Sequence, residues 1–253
     1  MSEHGQRSTG SISVVIPTRN EAYLVGDLIQ RLSAADLAQV IVVDGDSTDR
    51  TAAVARAHGA TVICAPAGRG LQMDRGAEVA TGEILLFLHA DTRLPDRFDA
   101  PIRNVLARPG VSAGAFRLRI DGPRWPFRCL EALIAWRSRF LQLPYGDQAL
   151  FMRAATYRRI GGFVHQPVME DFDLVRRLGR EGRIEIAPVA VVTSARRWHR
   201  FGFCRTTLLN QICIGSYLLG VDPARIAVWR DRGVVAGGAR DGSPKLGSIQ
   251  RTG

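Results

Sequence analysis

The stretch Glu83-Ile-Leu-Leu-Phe-Leu88 decides the fold class, together with the polar residues that follow it. Its apolar run is typical of a strand buried on both faces, as in a parallel sheet. Three further runs of this kind precede it along the chain, at Ser11–Pro17, Gln39–Asp44 and Ala60–Ala65. The first half of the chain is therefore predicted to contain four buried strands.

Segments with helical periodicity separate these strands. The first predicted helix is Glu21–Ala34, which carries leucines at helical spacing. The second is capped by Ser47 or Thr48 and ends at Gly59. The third is Leu71–Ala80. Because strand and helix alternate four times, the sequence predicts parallel βαβ units. The expected fold class is α/β, a doubly wound and mostly parallel sheet with helices on both faces.

The second half is less regular. It is predicted to contain strands over 111–120, 149–152 and 183–192, and helices over 125–141, 154–160, 170–181 and 205–219. We expect one domain over 11–230, with a nucleotide-binding half (11–93) and an acceptor half (94–230). Residues 1–10 and the tail rich in Gly, Ser and Arg at 231–253 are expected to be disordered.

Composition narrows the class of partner. The 253 residues carry a formal net charge of +10, and Lys245 is the one lysine, so arginine supplies the excess. Arginine binds phosphate and carboxylate through paired hydrogen bonds, which suits an anionic ligand or an acidic membrane surface. The basic residues are scattered, so we expect no nucleic-acid partner.

Cysteine usage and hydropathy indicate the compartment. Four cysteines without paired short spacing predict reduced thiols in a cytoplasmic protein. Met1–Gly10 lacks an apolar core, and Thr206–Val221 is too short and too polar to span a bilayer. We therefore expect a cytoplasmic protein, and peripheral contact with the inner face of the membrane remains open.

Polar clusters follow three of the predicted strands at their carboxyl ends. In open parallel sheets, ligands bind at these ends. The clusters are Pro17–Glu21, Asp44–Asp49 and His89–Thr92. Taken alone, any one cluster is also explained as a cap of the next helix. Three at consecutive strand ends favour one shared site.

His89 and Asp91 stand two residues apart, and such side chains share one face of a strand. The pair could therefore present an imidazole and a carboxylate to Mn or Mg. Gly68-Arg69-Gly70 lacks the pattern of a P-loop, so an ATPase is disfavoured. Arg69 is either a phosphate contact or a solvated turn residue.

Two later segments carry further candidates. Glu170-Asp171 precedes a predicted helix and is either a pair of first-turn acids or the source of a general base. The polar segment Tyr145–Gln148 suits a loop at a binding site. Trp125, Trp136 and Arg139 are acceptor-side candidates, although core packing is favoured for the two tryptophans.

Read in order, the motifs resemble the family-2 glycosyltransferases of GT-A fold. The matching stretches are Val15–Glu21, Val43–Thr51, Leu86–Thr92, Gly161–Phe163 and Glu170–Leu174. The resemblance implies inverting, metal-assisted transfer of a sugar from a UDP- or GDP-sugar to a small-molecule or lipid acceptor. A hexosyltransferase with a divalent Mn or Mg ion as cofactor is expected.

Three further stretches resemble a bacterial subgroup labelled arsenosugar-biosynthesis glycosyltransferases, some of whose members are labelled carotenoid-acid (4,4'-diaponeurosporenoate) glycosyltransferases. They are His89–Pro95, Leu143–Phe151 and Ser194–Trp198. A polyprenyl-phosphate acceptor is a further alternative. From other classes, a non-catalytic protein that binds anionic membrane surfaces and a nucleotidyltransferase stay open.

The resemblance also implies residue roles. Asp171 would be the catalytic base, with Glu170 beside it, and Asp91 with His89 would hold the metal. Nucleotide-sugar contacts are expected from Pro17, Thr18, Glu21, Asp44, Asp46, Arg69, Gln72, Ala90 and Arg197. Acceptor contacts are expected from Tyr145, Gly146, Asp147, Gln148 and Trp198.

Three motifs depart from the family pattern. The usual Val-Asp-Asp-Gly-Ser becomes Val43-Asp-Gly-Asp-Ser47, and His89 replaces the first Asp of Asp-x-Asp. Ser194 replaces the Gln of Gln-x-x-Arg-Trp. The replacement of Asp by His89 puts the metal preference in question.

Overall fold

The computed structural model describes residues 10–122, 125–196, 198 and 202–238. The chain divides into two compact units, Met1–Ala195 and Arg196–Gly253. The two helices after residue 195 pack on each other. The single domain expected over 11–230 stays a prediction.

The first half of the larger unit follows the predicted alternation of strands and helices. Strands β1 to β4 lie side by side, all parallel, in the order β3-β2-β1-β4. The elements are β1 (Ile12–Thr18), α1 (Ala22–Leu32), β2 (Gln39–Asp44), α2 (Thr51–Ala57), β3 (Thr61–Cys64), α3 (Arg69–Val79) and β4 (Ile84–Phe87). These elements confirm the βαβ prediction.

The second half extends the same sheet beyond β4 in the order β4-β7-β6-β8-β5. Its elements are β5 (Thr92–Arg93), α4 (Asp99–Leu106), β6 (Val111–Asp121), α5 (Trp125–Phe140), a short 3-10 helix (Gly146–Gln148), β7 (Phe151–Arg153), α6 (Ala154–Arg159), α7 (Glu170–Glu181) and β8 (Arg183–Ser194). Strand β7 runs antiparallel to both of its neighbours. The prediction missed β5, α4 and this reversal of direction.

The core lies on both faces of the central strands. Ile12, Val14 and Ile16 on β1 are fully buried, and so are Val15 and the apolar residues of β4. Strands buried on both faces are what a parallel sheet covered by helices requires. The sheet therefore fixes where its carboxyl ends, and the loops attached to them, lie.

The predicted caps of α2 have another role. The helix begins at Thr51, and the Asp49 carboxylate accepts a hydrogen bond from the Thr51 backbone N–H. Ser47 Oγ instead accepts a hydrogen bond from the Asn20 backbone N–H at 2.9 Å. Ser47 therefore joins two loops and does not cap the helix.

The smaller unit contains α8 (Phe203–Leu218) and α9 (Pro223–Gly238). The prediction of disorder from residue 231 is wrong as far as Gly238, because α9 continues to that residue. Gly10 is also ordered, since its N–H donates to Glu83 Oε2 at 3.0 Å. Residues 1–9 and 239–253 lie outside the described part. Within that part, no helix combines the length and apolar character needed to cross a bilayer.

The close approach of α3 to the sheet yields a stability prediction. A Cβ on Gly76 of α3 would lie 2.3 Å from Val15 Cγ1, whereas a Cβ on Gly179 of α7 would meet nothing within 4 Å. We expect Gly76→Ala to lower the free energy of unfolding by about 1–2 kcal/mol, because overpacking outweighs the better helix propensity. Gly179→Ala should raise it by about 0.5–1 kcal/mol. Urea denaturation measures both, and equal effects at the two positions would contradict the packing described here.

Candidate active site

The loops that follow β1 and β2 are linked to each other. Thr48 N–H donates to Asn20 Oδ1 at 2.8 Å, and Glu21 N–H donates to Thr51 Oγ1 at 2.9 Å. Together with the bond between Asn20 and Ser47, these contacts hold the two polar segments as one wall. The predicted nucleotide contacts Pro17, Thr18 and Glu21 therefore share an edge with Asp44.

Asp44 ends β2 and is 6% exposed. Its Oδ2 accepts a hydrogen bond from the Ser47 backbone N–H at 3.2 Å. Its buried Oδ1 receives no hydrogen bond from any residue in the described ranges. A buried carboxylate oxygen without a donor is costly, so this atom is suited to an N–H group of a ligand.

Gln72, which is predicted to lie near the donor, bonds the backbone near the ends of β1 and β2. Its side chain is buried, and its Nε2 donates to the carbonyl oxygens of Thr18 at 2.9 Å and Val43 at 2.8 Å. A Cβ on Gly45 would lie 2.7 Å from the same Nε2. Gly45 therefore leaves no room for a side chain beside Gln72, and Asp46 after it takes the left-handed conformation at φ 57°, which Asp tolerates.

Arg69 begins α3 at the centre of an acidic group. Its Nε lies 2.9 Å from Glu170 Oε1. Burial by itself would lower the pKa of Arg69, but the negative charges of Glu170, Asp171, Asp147 and Asp91 raise it instead. Acids from three separate segments thus act on one guanidinium group, with Glu170 in direct contact, and we call this set the acidic cluster.

Glu170 has a different role from the one predicted beside the catalytic base. It is 2% exposed, and its carboxylate is held by Arg69. A carboxylate fixed in this way orients the arginine. It is poorly placed to take a proton from an acceptor, because a base must reach that proton.

Asp171 lies half-buried on the first turn of α7. Its Oδ2 accepts a hydrogen bond from the Gly146 backbone N–H at 2.9 Å, and its Oδ1 accepts one from Phe172 N–H at 2.8 Å. A Cβ on Gly146 would lie 3.1 Å from His89 Nε2 and 3.2 Å from Asp171 Oδ2. The structure therefore brings His89, Gly146 and Asp171 together.

The geometry expected for His89 and Asp91 is wrong. Strand β4 ends at Phe87, and the pair lies in a turn closed by a hydrogen bond from Thr92 N–H to His89 O at 3.1 Å. Ala90 lies half-buried in the same turn. No group of three His, Cys, Asp or Glu side chains within the described part of the chain could hold a metal by itself. A cation here would take most of its ligands from a bound substrate and water, as Mg commonly does.

The segment Tyr145–Gln148 meets the cluster at Gly146, but Gln148 does not face an acceptor. It is fully buried, its Nε2 donates to Phe116 O at 2.9 Å, and its Oε1 accepts from Ser138 Oγ at 2.9 Å. These bonds fix the loop to β6 and α5. Gln148 therefore positions Gly146 and Asp147.

Arg137 of α5 is not among the predicted site residues. Its guanidinium carbon lies 3.5 Å from the centre of the Tyr145 ring, and its Nε donates to Leu143 O at 3.0 Å. Burial lowers the pKa of Arg137 and raises the pKa of Tyr145. The sequence does not distinguish Arg137 from Arg128 and Arg139 on the same helix, so its role follows only from tertiary contacts.

A second missed group supports the segment before α7. Asp74 Oδ1 accepts from the Tyr157 hydroxyl at 2.7 Å, and Asp74 Oδ2 lies 3.0 Å from His165 Nε2. The Tyr157 oxygen in turn accepts from Phe163 N–H at 3.1 Å. This network holds the chain that leads into Glu170-Asp171.

Two predicted site residues belong to the smaller unit. Trp198 is half-buried there, and Arg197 lies outside the described residues. Trp125 and Trp136 of α5 are 74% and 53% exposed, so the favoured assignment to the core is wrong.

Comparison with known proteins defines first the class and then the family. The mixed α/β fold is the GT-A glycosyltransferase fold. A mannosyltransferase from Pyrobaculum calidifontis in complex with GDP-Man and Mn²⁺ superposes with a TM-score of 0.61 at 19% identity, over 94% of this chain and 78% of that one. A glucosyl-3-phosphoglycerate synthase from Mycobacterium tuberculosis in complex with Mn²⁺ and UDP gives a TM-score of 0.54 at 20% identity, over 74% and 73%.

The profile of glycosyl transferase family 2 matches residues 13–160, so the chain belongs to that family and is an enzyme. A 4,4'-diaponeurosporenoate glycosyltransferase from Staphylococcus haemolyticus is 38% identical over 34% of this chain and 26% of its own length. An uncharacterised glycosyltransferase from Mycobacterium tuberculosis is 33% identical over 55% of this chain and 65% of its own length. The match thus spans about a quarter of the first relative and under two thirds of the second.

The pairing of Glu170 with Arg69 predicts a measurable effect on transfer. Glu170→Gln should lower kcat/KM about tenfold, because Arg69 loses the partner that orients it. Complete loss of a donor that stabilises charge in the transition state typically lowers kcat by about 10²–10³-fold, so a smaller effect is expected when the arginine is only less well oriented. The measurement is the steady-state kinetics of sugar transfer.

The matched control is Glu78→Gln, which removes an exposed partner of Arg75 on the same helix. Such surface pairs contribute little, so its kinetics should equal those of the wild type. An unchanged kcat/KM in Glu170→Gln would contradict the orienting role.

Proposed function

We propose that the protein transfers a sugar, with inversion, from a UDP- or GDP-sugar to an acceptor hydroxyl or carboxyl group. The observation that carries the proposal is the position of the Asp171 carboxylate. It shares the acidic cluster with Asp91 and Asp147 around Arg69, at the carboxyl edge of the sheet. Ligands of open α/β sheets bind at that edge.

The nucleoside would lie along the wall formed by the loops after β1 and β2. The buried Asp44 Oδ1 offers an acceptor for an N–H group of the base. Pro17, Thr18, Glu21 and Asp46 line the same edge. A base with a ring N–H, such as uracil or guanine, fits this acceptor.

The diphosphate would lie at the amino end of α3. Arg69 offers positive charge there, and the helix terminus adds to it. Asp91 with His89 would hold a divalent cation, which as a Lewis acid would offset charge on the leaving diphosphate. Structural neighbours contain UDP with Mn²⁺ or Mg²⁺, which supports a cation of this kind.

The acceptor proton would be removed by Asp171. Gly146 N–H and Phe172 N–H each donate to one of its oxygens, which fixes the carboxylate without neutralising it. Tyr145 and Asp147 lie on the loop beside it and are candidate acceptor contacts. The acceptor contact expected of Trp198 stays a prediction from the sequence.

The acceptor class rests on resemblance. The motifs resemble the arsenosugar-biosynthesis subgroup, which favours a small-molecule acceptor and a hexose donor. The staphylococcal relative is named for a carotenoid acid, and this supports the alternative of a lipid-like carboxylic acid. Another relative, from Mycolicibacterium smegmatis, is named glucosyl-3-phosphoglycerate synthase.

Incubation with labelled UDP- and GDP-sugars, followed by mass spectrometry of the products, tests the proposed reaction. A nucleoside diphosphate and a glycosylated acceptor are expected. Release of pyrophosphate would indicate a nucleotidyltransferase instead. Failure to bind any donor would leave only a surface-binding role.

Replacement of the proposed base should separate catalysis from donor binding. Asp171→Asn is expected to lower kcat about 10²–10⁴-fold, the usual contribution of a positioned base, while the donor Kd stays unchanged. Asp173→Asn is the matched control, since Asp173 lies on the same helical turn and pairs with Arg177. Normal turnover by Asp171→Asn would disprove the assignment.

Replacement of Asp44 should weaken nucleotide binding. In Asp44→Asn the amide oxygen can keep the bond from Ser47, so the amide N–H₂ group would face the donor group of the base. Loss of a hydrogen bond to a charged group costs about 1.5–3 kcal/mol, or roughly 10- to 100-fold in Kd. Calorimetry with UDP and GDP measures this effect. The exposed Asp27→Asn is the control, and equal affinities for both variants would exclude Asp44 from the base site.

A further inference from the structure

Helix α5 exposes an apolar side that the proposed reaction leaves unexplained. Its inner side, with Phe127, Ile134 and Ser138, is buried. Its outer side carries large apolar residues that are each more than half exposed. They are Trp125 (74%), Leu133 (55%), Trp136 (53%), Phe140 (65%) and, directly after the helix, Leu141 (52%).

These residues form a continuous stripe. Positions 125, 133, 136 and 140 recur at intervals that place side chains on one side of a helix. The rings of Trp136 and Phe140 lie 5.9 Å apart. Single exposed apolar residues are ordinary, but a contiguous stripe of this kind marks an interaction surface.

The charge on this surface is positive. Arg139 is exposed on α5 and lies 6.0 Å from the Phe140 ring, whereas the charge of Arg128 is offset by its ion pair with Glu131. The one acid of the helix, Glu131, is already bound by Arg128 and by the Ile120 backbone N–H. The chain as a whole carries +10. A helix that lies in an anionic lipid interface typically carries Trp, Leu and Phe on one face with arginine beside them.

A second copy of the chain fits this surface less well. In a two-fold dimer the same patch meets itself, which would bring the arginines of both copies together. An anionic membrane surface attracts those arginines, and tryptophan favours the level of the lipid headgroups.

The same helix is fixed to the loop 143–149, which carries the candidate acceptor contacts. Arg137 donates to Leu143 O and stacks on Tyr145, and Ser138 bonds Gln148. Gly146 of that loop bonds Asp171. A surface bound to the outer side of α5 is therefore connected, through one helix, to the loop beside the proposed base.

We propose that the outer side of α5 docks the enzyme on an anionic lipid surface and that the acceptor is an amphiphile held in that surface. The second part rests on the proposed function, since it needs Asp171 to act on an acceptor. The polar end of the acceptor would reach the loop 143–149 from the headgroup layer.

Co-sedimentation of the full chain with lipid vesicles tests the docking. The probes are vesicles of phosphatidylcholine alone and vesicles containing about one third phosphatidylglycerol. We expect binding to the anionic vesicles only, weakened at least about tenfold in Leu133→Gln/Phe140→Gln, because binding scales with the apolar area inserted. The control Tyr23→Gln/Val79→Gln changes two exposed apolar residues elsewhere and should bind as the wild type does.

Several outcomes would overturn the proposal. These are absence of vesicle binding by the wild type, equal binding by the α5 variant, or loss of binding only in Leu208→Gln/Leu219→Gln of α8 and its C-terminal neighbour. A dimer in light scattering that the α5 variant abolishes would identify a second copy as the occupant.

Donor binding separates this proposal from the proposed function. Calorimetry in the absence of lipid should give the same donor Kd for the wild type and the α5 variant. Normal donor binding without vesicle binding would refute the docking alone. If no donor binds, the proposed function fails, whatever the vesicles show.

Discussion

The central constraint on this molecule is electrostatic. Asp91, Asp147, Glu170 and Asp171 all lie near enough to Arg69 that their negative charges raise its pKa. Like charges gathered in a partly buried place repel, and the fold offsets this repulsion with one ion-paired arginine at the start of α3. A site built in this way is prepared for further positive charge, and this is consistent with a cation bound together with a diphosphate.

Glycines at close backbone contacts allow the loops that carry the acidic cluster to approach one another. Gly146 admits both His89 and Asp171, Gly70 lets the Val164 carbonyl and Glu170 approach α3, and Gly45 admits Gln72. A Cβ atom at any of the three would lie 2.7–3.1 Å from the nearest atom of another residue. These glycines stand where loops from different parts of the sheet converge, so the site depends on backbone proximity as much as on charge.

Much of the fold could be predicted from the sequence because its signals are local. The four buried strands and the helices between them follow from apolar periodicity, and the order of the motifs indicated the family. The antiparallel insertion of β7 could not be predicted, since Phe151–Arg153 pairs with strands distant in sequence. The short strand β5 and helix α4 lack strong periodicity. Helix α9 lies in a Gly- and Arg-containing segment whose composition resembles a tail.

The site was predicted in part. The positions of acids at strand ends follow from topology, but the partners of buried groups do not. Glu170, Gln72 and Gln148 are polar residues in motifs, and only the structure shows that their side chains bond the protein itself. Arg137 and the Asp74–Tyr157–His165 network act through tertiary contacts that no spacing in the sequence reveals.

The account depends most on the acidic cluster receiving a diphosphate together with a cation. The most direct measurement is the Kd of UDP and GDP with and without Mn²⁺, for the wild type and for Asp91→Asn. We expect Mn²⁺ to strengthen binding to the wild type at least about tenfold, and the substitution to abolish that gain while the metal-free Kd stays the same. An equal gain in both proteins, or no effect of Mn²⁺ on the wild type, would contradict the account.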